Sequence, residues 1–112
     1  MNKSLVAATI ALCLASPALA KDTRFWNLTA NTITRLQLSP AGKNQWGPDQ
    51  AVNDPDHGVD HDERLKITGV KSGLYDVRFT DKAGRQCAVT DVVVKNGAVF
   101  SIDEKNIGVC GN

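Results

Sequence analysis

The stretch LYDVRFTDKAGRQCAVTDVVV, Leu74 to Val94, decides the fold class. Tyr75, Val77 and Phe79 alternate with polar residues, the period of a strand with one buried face. Asp81-Lys82-Ala83-Gly84 then has the chemistry of a tight turn, and Arg85 to Val94 returns as a second strand on which Cys87 and Val89 share a face. The pair is a β-hairpin. Downstream, Asn96-Gly97 is the preferred dipeptide for a type I′ turn, and Ala98, Phe100 and Ile102 resume the alternation. Upstream, Leu65 and Ile67 alternate before a turn over Gly69 to Gly73. Thr23 to Leu28 (TRFWNL) and Thr32 to Ser39 (TITRLQLS) read as a further hairpin closed by Thr-Ala-Asn. Ile33 is out of phase with Leu36 and Leu38, so a bulge near Thr34 and Arg35 is needed to turn all three inward. No helix of three turns is predicted. Six to seven short strands separated by polar turns specify an all-β protein, a small antiparallel β-sandwich or else a small open barrel, over any α/β arrangement.

The N-terminus carries a different message. Asn2-Lys3 supplies a positive start, Leu5 to Leu14 an apolar run and Ala18-Leu19-Ala20 the small-x-small pattern a signal peptidase requires. Residues 1–20 are thus expected to be a cleaved signal peptide, and the protein periplasmic or secreted. Ser16-Pro17 breaks the run short of the roughly 20 apolar residues a span needs, so no membrane span is expected. Leu12 stands before Cys13 where a lipoprotein signal wants a small residue. The 112-residue chain without its first 20 leaves 92 residues, 21–112, enough for a single β-sandwich domain with a thin core. Two cysteines remain, Cys87 and Cys110. An oxidising compartment makes them a disulfide, with two buried free thiols as the alternative. Closing that loop contributes about 3 kcal/mol by the chain-entropy relation and fastens the tail from Lys105 to Gly111 onto a strand. Without a CxxC pair, the bridge reads as structural.

Chemistry, if present, lies between Asp49 and Glu63, DQAVNDPDHGVDHDE. Six of the chain's 12 acids and both histidines fall here, with no Lys or Arg. Crowded carboxylates repel, and a bound cation relieves the repulsion; hard oxygen ligands suit Ca²⁺. Asp54, Asp56, Asp60 and Asp62 are the candidate ligands, with Glu63 as a further one, and Gly58 is expected to supply the backbone reversal. The loop is not an EF-hand: with Gly58 sixth, Pro55 would be third, His57 fifth and Arg64 twelfth. His57 and His61 offer imidazole to Zn²⁺, Ni²⁺ or Cu²⁺ beside Asp60 or Asp62, although no helix sets them on one face. Against both metal readings stands a solvated acidic connection with no ligand.

Other classes are disfavoured. Net charge is +1, and losing Lys3 with the leader leaves 12 bases against 12 acids, so no nucleic-acid partner is indicated. The chain has no P-loop, no dinucleotide fingerprint and no nucleophile in a G-x-S-x-G setting, so no catalytic residue is assigned and the chain is not expected to be an enzyme. Of the neighbours Phe25 and Trp26, one is expected to face the core. Trp46, in NQWGP, is expected to plug one end of the sandwich. Asn27-Leu28-Thr29 matches a glycosylation acceptor in form only.

Three stretches carry a resemblance: SPAGKNQWGPDQ (Ser39 to Gln50), DERLKITGVKSGLYDVRFTDKAGRQC (Asp62 to Cys87) and GAVFSIDEKNIGVC (Gly97 to Cys110). Over nearly the whole mature chain they resemble small exported proteobacterial proteins of unassigned function, some carrying an argininosuccinate lyase label that does not suit a chain this short and helix-poor. The L-x-I-x-G-V-x-x-G-x-Y-D-V arrangement is more distantly similar to transthyretin-like and carboxypeptidase-regulatory-like sandwiches. The resemblance implies an immunoglobulin-like or transthyretin-like topology and a noncatalytic binding or spacer module. Two functions follow as expectations. One is a monomeric binding module whose loop 53–63 takes a divalent cation such as Ca²⁺. The other is an inhibitor or adaptor that offers the same loop to a basic protein without metal.

Overall fold

A computed structural model describes residues 21–111; the expected leader, residues 1–20, lies outside the described residues. Seven strands run in chain order: β1 (Thr23–Leu28), β2 (Ile33–Pro40), β3 (Arg64–Ile67), β4 (Gly73–Asp81), β5 (Gln86–Val94), β6 (Val99–Asp103) and β7 (Val109–Gly111). They form two sheets, β3-β1-β6 and β2-β4-β5-β7. Between them lies the core, where Phe25 and Phe100 meet across β1 and β6 at 5.5 Å between ring centroids, over Leu36, Val77 and Ile102. The all-β two-sheet reading therefore holds, with the alternation in each strand dividing inner from outer face.

The β4–β5 hairpin forms as its sequence dictates, closed at Asp81 and Arg85. The bulge in β2 falls between Ile33 and Arg35, and Ile33, Leu36 and Leu38 are all buried. Cys87 and Cys110 are directly opposed partners in the β5–β7 ladder and are joined as a disulfide. Because β7 has only three residues, the covalent bond supplies the fastening that so short a ladder lacks.

Three local expectations are corrected. β1 and β2 are not a hairpin: they lie in different sheets, and the Thr-Ala-Asn segment is an arch between layers. The reason is Asn27, buried at the end of β1. Its Nδ2 donates to the carbonyls of Asn31 (3.0 Å) and Val59 (2.9 Å), and its Oδ1 accepts from the Thr29 N–H (2.9 Å) and hydroxyl (2.6 Å). That set satisfies an arch and leaves no ladder between the two strands. Nor do β5 and β6 form a hairpin. A turn closed by the Ala98 N–H on the Lys95 carbonyl (3.0 Å) puts only Gly97 at positive φ (83°), where a type I′ turn needs both central residues there. The chain so crosses to the other sheet, and β6 pairs with β1 in parallel, Phe25 opposite Phe100. The sandwich is antiparallel apart from that one ladder.

Candidate functional site

The acidic connection is tied down along its length. Asp49 caps a short 3₁₀ turn, Gln50–Asn53, its Oδ1 accepting from the N–H groups of Ala51 (2.9 Å) and of Leu36 in β2 (2.9 Å). Gln50 is buried; its Nε2 donates to the Thr68 carbonyl (2.9 Å) and its Oε1 accepts the Thr68 N–H (3.0 Å). Val59 exchanges both backbone hydrogen bonds with Ile33, at 2.8 and 2.9 Å, which anchors the middle of the loop to β2. A Cβ at Gly58 would stand 3.4 Å from the Ile33 carbonyl oxygen and 3.4 Å from the Thr32 methyl. Those are ordinary contact distances, and Gly58 does not supply the expected reversal: the positive φ angles fall instead on His57 (57°) and Asp62 (71°).

Of the five candidate ligands, the carboxylates of Asp54, Asp60, Asp62 and Glu63 each accept from a separate donor, and Asp56 contributes its backbone N–H. Asp54 Oδ2 accepts the Asp56 N–H (2.8 Å), and Asp60 Oδ1 accepts the Thr32 hydroxyl (2.7 Å). Glu63 Oε1 accepts the Asp60 N–H (2.8 Å), and Asp62 Oδ1 accepts the Trp26 indole N–H (2.9 Å). The histidines diverge. His57 Nε2 stands 3.5 Å from Asp49 Oδ2, whereas His61 Nδ1 lies 2.7 Å from the Thr29 carbonyl and must carry the proton there, since a carbonyl only accepts. Among the described residues no three His, Cys, Asp or Glu side chains are grouped to hold a metal ion. The structure thus brings Asp54 near Asp56 and Asp60 near Glu63 as turn partners, and it does not gather Asp54, Asp56, Asp60 and Asp62 around one point.

Sequence reading missed what clamps this loop. Trp26 is the half-exposed member of its pair, Phe25 the core one; Arg64 stacks on the Trp26 ring at 4.2 Å while the indole N–H holds Asp62. Thr29, read as a turn residue, and Thr32, read as the start of a strand, hold His61 and Asp60. The only sequence signal was the Asn27-Leu28-Thr29 triplet, and its asparagine is fully buried. Trp46 also departs from expectation. It does not plug the core; it lies half-buried beneath the Arg78 guanidinium (4.3 Å) with its N–H on Asn44 Oδ1 (2.8 Å), because the cation covers the face that water would otherwise meet.

Charge elsewhere is locally balanced at one corner. Arg85 grips Glu104 through two bonds (3.0 and 2.9 Å) and Asp81 through Nε (2.9 Å). The Arg85 bonds, aided by the Ala30 N–H, hold the Glu104 carboxyl at about 2. Burial would raise Asp81, but hydrogen bonds from the Arg85 N–H and guanidinium and from Asn31 outweigh it and keep that carboxyl below its ordinary value.

Fold and loop together define a small two-sheet β-sandwich bearing a braced acidic loop. Comparison with family models, with curated proteins and with solved structures finds no match to the chain.

Proposed function

We propose that this chain is a noncatalytic, exported binding module that presents its loop from Asn53 to Glu63 to a basic protein, as an inhibitor or adaptor does. The observation that supports this reading is the separate engagement of four carboxylates: Asp54, Asp60, Asp62 and Glu63 each spend one oxygen on a hydroxyl, an indole or a backbone N–H, and the loop stays charged on its exposed side. A loop braced in this way has little ordering entropy left to lose on docking, and its unbalanced charge steers a cationic partner. A Ca²⁺ site would require these carboxylates to converge on one ion.

The test is titration calorimetry of the protein cleaved after Ala20 against a basic protein such as a lysozyme at low salt, with Ca²⁺ and Zn²⁺ in parallel. Binding of the basic protein that weakens at least about tenfold between 20 and 200 mM salt, and again in Asp56→Asn/Asp60→Asn, is the expected result. Saturable Ca²⁺ heat with a raised melting temperature, lost in the same variant, would replace this reading with the cation site.

A further inference from the structure

The outer face of the four-stranded sheet carries a second site, independent of the acidic loop. Strand register lines Gln37, Arg78, Ala88 and Val109 in one row across β2, β4, β5 and β7. Arg35 stands two residues from Gln37 on β2, and these residues line a shallow groove of about 460 Å³. Its positive end has an unusual construction. Gln37 Nε2 is held by the Gly47 carbonyl (2.8 Å), and its single Oε1 accepts from both Arg78 Nε (3.0 Å) and Arg35 Nε (3.3 Å). Two guanidinium groups are thereby drawn to one neutral oxygen, and among the described residues neither forms an ion pair. Arg78 is further fixed by its stack on Trp46.

Like charges held side by side repel, and an amide oxygen does not neutralise them. Both forks use only Nε on Gln37, which leaves the terminal nitrogens for a ligand with the geometry of an oxyacid. The other end of the row is apolar: Ala88 is half-buried, and Val109 is 74% exposed on a strand that its disulfide keeps in place. We infer that this groove binds an amphiphilic oxyanion, a carboxylate or phosphate monoester whose head lies between Arg35 and Arg78 and whose aliphatic chain crosses Ala88 and Val109.

Octanoate, octyl phosphate and acetate are the probes, each titrated at low salt into the isotope-labelled protein while backbone amide resonances are followed. Octanoate or octyl phosphate is expected to shift Arg35, Arg78, Ala88 and Val109 saturably, and at least about tenfold more tightly than acetate, because several methylenes leave water. Whichever of the two binds more tightly identifies the head group. Arg35→Gln/Arg78→Gln should abolish the response while its spectrum stays folded, and Val109→Ser should bring octanoate towards acetate. Asp56→Asn/Asp60→Asn should leave it intact, which separates this site from the acidic loop. No saturable shift with either amphiphile, a response retained in the double arginine variant, or acetate binding as tightly as octanoate would overturn the inference.

Discussion

Asn27 joins two separate parts of the molecule through one fully buried amide. Its amide satisfies two carbonyls, one backbone N–H and one hydroxyl in a site closed to water, so it fixes the arch between layers and the loop anchor at Val59 at once. Asn27→Ala leaves those groups unpaired and should cost about 2 to 4 kcal/mol in urea unfolding, whereas Thr34→Ala, at a half-exposed site with one 3.3 Å bond, should cost under about 1 kcal/mol. Trp26→Phe keeps the ring over Arg64 but removes the N–H that holds Asp62. It should speed amide exchange at Asp62 and Glu63 and leave the core untouched.

Among the elements, two fastenings make separate predictions. Reducing the Cys87–Cys110 bridge should lower stability by about 3 kcal/mol and release β7 first, seen as exchange at Val109 to Gly111 before β4 and β5. The corner of Arg85, Asp81 and Glu104 ties the β4–β5 turn to the tail and to the Ala30 N–H. Glu104 titrates lower folded than unfolded, so its contribution is complete above its ordinary value of 4.5 and is lost as pH falls towards about 2. Acid unfolding should steepen in that interval, and Glu104→Gln should flatten it. Asp81, also lowered, acts in the same direction.

At the scale of the whole molecule, what could be read from sequence was local. The β4–β5 hairpin and the β2 bulge were legible because alternation and turn chemistry act over a few residues, and the cysteine pairing because residues 21–112 hold only two cysteines. The layer change at Asn27 was not, since it depends on a buried amide reaching Val59, distant in sequence. The parallel β1–β6 ladder was hidden because a residue's alternation is the same whichever strand lies beside it. In the loop, clustering of acids was visible and their dispersal onto Thr32, Trp26 and backbone donors was not. The two proposed sites carry opposite charge, so rising salt should weaken both, and each charge-removing variant should affect only its own ligand.

β1 is the middle strand of its sheet, and one of its two neighbours is β6. β1 begins at Thr23 and β6 at Val99, so the central strand keeps one edge bare until that distant segment is available to pair. A chain stopped after Val94 would hold an intact β4–β5 hairpin yet leave Phe25 without Phe100. Such a fragment should clump rather than settle, which makes the arrival of β6 the event that permits this sandwich to close.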